Sequence, residues 1–71
     1  MATKVRTEIT GLVRKIEKQV GDTVQAGDVL VILESMKMEL PVEASTAGII
    51  TEICCQEGQS VTEGDILIVL V

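Results

Sequence analysis

The sequence predicts an all-β domain of sandwich or barrel type, and three observations carry that prediction. Glycines at 11, 21, 27, 48, 58 and 64 recur at matched intervals and cut the chain into segments of about five to ten residues, the spacing of short strands joined by turns. β-Branched residues dominate the apolar positions, and no long segment sustains a helical period. The third observation is an internal repeat: adding 37 to a residue number lays the first half on the second without a gap. Between Val5–Leu33 and Val42–Leu70, ten of the 29 pairs are identical, at Val5, Gly11, Ile16, Gln19, Gly21, Val24, Gly27, Asp28, Leu30 and Leu33. Such self-similarity marks two copies of one supersecondary unit. The expected organisation is a single domain over 1–71 with repeat units 5–33 and 42–70.

Taken in order, Lys4 to Thr10 alternates weakly, placing Val5, Thr7 and Ile9 on one face of a first strand. Leu12 to Val20 reads as the second strand; the three-residue spacing of Val13 and Ile16 breaks alternation and predicts a bulge or local twist. Gly21-Asp22 and Ala26-Gly27-Asp28 are turns around a very short strand at Val24. Val29 to Leu33 is an unbroken apolar run, which predicts a strand buried on both sides. Met36-Lys37 is the natural tip of a hairpin joining Val29–Glu34 to Met38–Ala44. Pro41, the only proline, opens the first strand of the second unit, where a missing N–H is tolerated. The second unit repeats this course and ends in Ile66 to Val71. If a two-fold axis relates the units, the connection carrying Lys37 lies opposite the chain ends and forms the outermost point of the domain.

Composition narrows the function. Seventy-one residues make one small domain that buries only about 60% of its unfolded surface. There is no Phe, Tyr or Trp, so core volume must come from Val, Ile, Leu and Met, which suits two thin, closely packed sheets. There is also no His. The commonest general base, zinc ligand and partner of a nucleophilic Ser or Cys is therefore missing, and the chain reads as non-catalytic, with no catalytic residue and no metal site. Eleven acids against six bases give a net charge of −5, which argues against nucleic acid as a partner. Arg14, Lys15 and Lys18, with Lys4 and Arg6 upstream, form the one basic cluster, read as a solvated strand face or alternatively a docking patch. No stretch approaches the roughly 18 apolar residues of a membrane span and no signal peptide opens the chain. The expectation is a cytoplasmic protein without membrane contact.

Cys54 and Cys55 are adjacent, too close for ordinary disulfide geometry. In a strand they point to opposite faces, so one is read as a small core hydrophobe and the other as partly exposed. Gly-Asp steps cradle phosphate only where a helix N-terminus follows, and none is predicted. Asp28 and Asp65 occupy matching positions in the two units, which suits turn-stabilising carboxylates better than a catalytic acid.

That leaves Lys37, in the run Glu34-Ser35-Met36-Lys37-Met38-Glu39 at the centre of the repeat. A turn lysine ordinarily serves solubility and blocks strand pairing. Here both neighbours are Met, the residue falls where the repeat breaks, and the chain offers no competing site.

This run resembles the (Ala/Ser)-Met-Lys-Met signature of biotin carboxyl carrier domains, in the biotinyl/lipoyl attachment family. The similarity spans nearly the whole chain, through Gly11-Leu12-Val13, Val20-Gly21-Asp22-Thr23-Val24, Ala26-Gly27-Asp28-Val29-Leu30, Ala47-Gly48-Ile49-Ile50 and Gly58 to Asp65. It implies a flattened barrel-sandwich of two four-stranded antiparallel sheets with an internal pseudo-two-fold repeat. It also implies that biotin protein ligase attaches biotin covalently to Lys37, recognising Glu34, Ser35, Met36, Met38 and Glu39. The carrier then serves biotin carboxylase and carboxyltransferase components, as a monomeric domain shuttling CO2. The alternatives are a lipoyl-type acyl carrier, whose lysine commonly sits in Asp-Lys-Ala, and an unmodified barrel-sandwich interaction module. Two departures, Ile9-Thr10 before the first repeat glycine and Lys18 at a usually apolar position, bear on strand-edge packing rather than on Lys37. The ungapped register leaves no room for the protruding thumb of some bacterial carriers.

Overall fold

A computed structural model describes residues 2–71; Met1, included in the expected 1–71 domain, lies outside the described residues. The described residues form eight strands: β1 Thr3–Arg6, β2 Gly11–Ile16, β3 Thr23–Val24, β4 Val29–Ser35, β5 Met38–Glu43, β6 Gly48–Ile53, β7 Ser60–Val61 and β8 Ile66–Leu70. They build two four-stranded sheets, ordered β1-β8-β6-β3 and β5-β4-β2-β7, with every pairing antiparallel. Adding 37 turns β1, β2, β3 and β4 into β5, β6, β7 and β8, and so exchanges one sheet for the other. β3 follows β2 in sequence but joins the opposite sheet, and β7 does the same after β6. Each unit thereby wraps across the other, which closes the two sheets into a flattened barrel. The expected all-β, pseudo-two-fold architecture is what forms.

The core lies between the sheets. Val13, Val24, Leu30, Val31, Leu33, Ile50, Leu67 and Ile68 are fully buried, with Ile9, Ile16, Val42 and Ile53 packed against them. Each fully buried aliphatic side chain contributes on the order of 1.5–3 kcal/mol. The unbroken run Val29–Leu33 does not have both faces covered as expected: Val29 and Ile32 stay half-buried. Its consecutive buried pair, Leu30-Val31, arises because the register against β5 shifts between Val29 and Val31. A bulge interrupts the pleat and turns two neighbours inward. Leu67-Ile68 repeats this against β1.

Two strands are shorter than the sequence predicts. The first stops at Arg6 rather than Thr10, because the buried Thr7 hydroxyl donates to the Ile9 carbonyl at 2.7 Å and accepts from the Ile9 N–H at 3.1 Å, closing a tight local turn. The second stops at Ile16 rather than Val20. After the Glu17 N–H donates to the Leu30 carbonyl, the chain enters a turn in which the Gln19 N–H donates to Asp22 Oδ2 at 2.8 Å. The bulge predicted between Val13 and Ile16 is present at Arg14, and its counterpart is at Thr51.

Asp28 and Asp65 stabilise turns as expected, accepting from the Gln25 and Thr62 N–H groups at 2.9 Å. The same device appears at Asp22 and, with an amide oxygen replacing the carboxylate, at Gln59. The turn glycines Gly21, Gly27, Gly58 and Gly64 all have positive φ, with Gly27 and Gly64 at 93° and 94°.

Candidate functional site

The β4–β5 hairpin is built by a register that leaves two residues for its turn. Leu33 faces Leu40, Glu34 faces Glu39 and Ser35 faces Met38, so Met36 and Lys37 alone make the connection. Their φ angles are 54° and 64°. Both central residues lie in the left-handed region, as the tightest twisted hairpin turn requires. That turn normally takes Asn-Gly, whereas an L-residue with a larger side chain costs roughly 1–2 kcal/mol at each such position. Among the described residues, no other non-glycine residue has positive φ. Strain of this kind persists only where surrounding structure imposes it, and it concentrates at functional sites.

All six residues singled out from the sequence are brought together on this one end of the β4–β5 ribbon. Met36 is 91% exposed and Met38 60%; Lys37 and Glu39 are exposed, while Glu34 and Ser35 are half-buried. Burial therefore explains neither methionine. Among the described residues Lys37 joins no ion pair, although two carboxylates lie close in sequence. Those carboxylates face Arg14 of β2 instead, whose Nη1 is 3.9 Å from Glu34 Oε1 and whose Nε is 3.5 Å from Glu39 Oε2. An exposed primary amine on a two-residue tip, making no ion pair with its neighbouring acids among the described residues, suits amide formation with an activated carboxylic acid.

Two residues that support the hairpin were not assigned to the site from the sequence. Arg14 appeared only as part of a basic cluster, and its partners are 20 or more residues away. Gly11 appeared only as a repeat glycine, yet a Cβ there would sit 2.5 Å from the Glu34 backbone oxygen and 3.5 Å from Ser35 Cβ. It lets β2 approach the hairpin root. The one signal for Arg14 was the broken alternation around it.

The remaining candidates are structural. Arg14 is paired with glutamates, Lys15 Nζ lies 3.5 Å from Glu17 Oε1, and Arg6 donates to the Gly64 carbonyl at 2.9 Å. Lys4 and Arg6 belong to the other sheet from Arg14 and Lys15. The basic cluster is thus divided between two sheets, with Arg14 and Lys15 paired to glutamates, in keeping with a solvated face. Cys55 is buried and Cys54 exposed, the one-in, one-out division expected, although the pair lies just past the end of β6 rather than within a strand. Burial pushes both thiols up from their ordinary pKa, aided at Cys54 by Glu52, whose Oε2 accepts from Sγ at 3.7 Å, and at Cys55 by Cys54. Among the described residues no three His, Cys, Asp or Glu side chains are grouped to hold a metal, and no helix is long and apolar enough to cross a membrane.

Comparison with known proteins agrees with this geometry. The protein is similar to the biotinylated protein TB7.3 homolog of Mycobacterium leprae, at 53% identity over 47 residues, covering 66% of each chain. It is likewise similar to the biotinylated protein TB7.3 of Mycobacterium tuberculosis, at 52% over 44 residues, covering 62% of each. The matched segment thus spans just under two thirds of these relatives. Among solved structures, the urea carboxylase of Kluyveromyces lactis superposes with a TM-score of 0.94 at 38% identity, over 100% of this chain and 6% of that one. A single-chain, multi-domain long-chain acyl-CoA carboxylase does so with a TM-score of 0.90 at 32% identity, over 96% of this chain and 7% of the other. The family model for biotin/lipoyl attachment, described as "Biotin-requiring enzyme", matches residues 1–70. With that match over nearly its full length, and with a lysine on the strained hairpin tip, the chain belongs to the biotin/lipoyl attachment family of biotin-requiring proteins.

Proposed function

We propose that the protein is a biotin carboxyl carrier, a non-catalytic component of a biotin-dependent carboxylase, with biotin attached through an amide at Lys37 Nζ. The observation that carries this reading is the Met36-Lys37 turn. It is strained and exposed, and it presents a single unpaired amine between two methionines that burial does not account for. Similarity to biotinylated proteins and to segments of two carboxylases supports biotin as the group attached. Biotin protein ligase is the enzyme that would acylate Lys37, recognising Glu34, Ser35, Met36, Met38 and Glu39. Acylation removes one positive charge and takes the net charge from −5 to −6. Bound biotin supplies the ureido nitrogen on which CO2 travels between biotin carboxylase and carboxyltransferase active sites. The chain's own contribution is tethering, which raises effective concentration at each site. A rigid barrel with its acceptor at a tip serves that role better than a mobile tail. The active unit is a monomeric, cytoplasmic domain over 1–71, its repeat units 5–33 and 42–70 acting as scaffold.

Co-expression with a biotin protein ligase, streptavidin detection and peptide mass mapping test the assignment. Label is expected on Lys37 alone, and Lys37→Arg is expected to abolish it with folding intact. Label on Lys4, Lys15 or Lys18, or a lipoyl mass on Lys37, would overturn it.

A further inference from the structure

Arg14 touches both strands of the hairpin that carries Lys37. We propose that it is a positioning residue, a clamp on the hairpin stem that holds the strained Met36-Lys37 turn in the form that is acylated; this rests on the reading of Lys37 as the biotin acceptor. Glu34 and Glu39 stand directly opposite each other across β4 and β5, one register pair below Ser35–Met38. Like charges in that relation push strands apart. The Arg14 guanidinium lies against both carboxylates, 3.9 Å from one and 3.5 Å from the other, and converts the repulsion into a three-charge bridge.

The placement of Arg14 is a product of the fold. Val13 pairs with Leu33 and Lys15 with Ile32, so Arg14 is the extra residue of a β-bulge, and a bulge re-aims the side chain it carries. The other unit has the equivalent bulge at Thr51, whose hydroxyl donates to the Val69 carbonyl at 3.3 Å. There the residue equivalent to Glu34 is Val71, an apolar residue in place of a carboxylate. Both units therefore keep the bulge, but only the one facing two opposed carboxylates fills it with a cation.

Ion pairs this exposed, at 57% and 63% for Arg14 and Glu39, contribute little to global stability. Their leverage here is local. Two residues held in the left-handed region sit immediately beyond the stem, and opening the stem releases that strain, so a modest bridge decides how often the turn frays. A frayed acceptor must be reordered on docking, which weakens binding rather than the acyl transfer that follows.

The test uses the full chain and two readouts, amide hydrogen exchange and ligase kinetics. Arg14→Ala is expected to speed exchange at Ser35 through Glu39 roughly three- to ten-fold and leave the Leu67 and Ile68 amides unchanged. Ligase KM should rise by a similar factor at constant kcat. Arg14→Lys should restore part of the protection, since a single ammonium cannot span both carboxylates as a guanidinium does. Adding Glu34→Gln and Glu39→Gln to Arg14→Ala should restore protection by removing the repulsion itself. Unchanged hairpin exchange in Arg14→Ala, or a triple variant that frays as fast as the single one, would overturn the clamp. A loss confined to kcat would overturn its role in presentation. Absence of label on wild-type Lys37 would instead sink the acceptor reading, while the exchange data still report on the clamp.

Discussion

At the scale of single residues, Met36 and Met38 separate recognition from stability. A methionine that fills a core loses roughly 2–5 kcal/mol on truncation to Ala, whereas an exposed one loses about 0.5 kcal/mol or less. Met36 is 91% exposed, so Met36→Ala is expected to leave the urea midpoint nearly unchanged while slowing biotinylation. Met38, 60% exposed at the start of β5, should lose more than Met36 but stay below the core range. A large stability loss at Met36 would assign it a packing role. The cysteines give a pH-dependent test. Both thiols are pushed up from the ordinary value, first by burial, so both are protonated and weakly nucleophilic near neutrality. Native protein should take up iodoacetamide slowly at pH 7 and faster above pH 9, at Cys54 only, because Cys55 is buried. The pH dependence of stability has the matching sign. Below the unfolded-state thiol pKa both states are protonated and no effect appears. Above it the unfolded chain loses its protons first, so alkaline pH favours unfolding. Rapid labelling of Cys55 in native protein would contradict the burial described here.

At the scale of elements, Gly11 and Gly48 occupy matching starts of β2 and β6 but face different neighbours. A Cβ on Gly11 would lie 2.5 Å from the Glu34 backbone oxygen, at the root of the hairpin; on Gly48 it would lie 2.8 Å from the oxygen of Val71, which is itself held by two backbone bonds with Ile49 at 2.8 and 3.0 Å. Both contacts are with hydrogen-bonded backbone, so neither neighbour yields freely. Gly11→Ala and Gly48→Ala are therefore both expected to destabilise, by about 1 kcal/mol or more within the range for overpacking, and only Gly11→Ala to slow labelling of Lys37 beyond its effect on folding. Urea titration of both variants with a ligase assay checks this; a Gly11→Ala protein labelled in proportion to its folded fraction would show that the hairpin tip does not depend on this close approach. These elements also show where sequence reasoning reached and where it stopped. Turn chemistry is local, so Gly27, Gly64, Asp28 and Asp65 could be read directly, as could the bulge from the spacing of Val13 and Ile16. The hairpin tip was readable because Met36-Lys37 falls at the centre of the repeat. The partners of Arg14 were not, because the register that sets them is a long-range pairing of three strands. The inward turn of both Leu30 and Val31 was hidden for a related reason, since an apolar run looks the same whether two faces are covered or one bulge interrupts the pleat. The left-handed pair was invisible as well. Met and Lys disfavour that conformation, and only the two-residue connection imposes it.

At the scale of the whole molecule, the two-fold relation makes a prediction that no single contact makes. Gly27 and Gly64 precede equivalent strands in opposite sheets, at φ 93° and 94°, with no atom near the space a Cβ would enter. Valine at either position would meet no clash. Its cost would be the backbone conformation alone, which a β-branched residue scarcely adopts. Because the strain is local and the two environments match, Gly27→Val and Gly64→Val should destabilise equally, each by a few kcal/mol, a large share of what a domain this size possesses. The reciprocal turn bonds at Asp28 and Asp65 should weaken in parallel. The hairpin carrying Lys37 lies in only one of the two sheets, yet labelling should fall in both variants only as far as the folded fraction falls. Denaturation curves and ligase assays on the pair decide the matter. If Gly27→Val stayed folded but resisted labelling while Gly64→Val did not, the turn before β4 would belong to the surface the ligase reads, and the symmetry of the scaffold would not extend to its function.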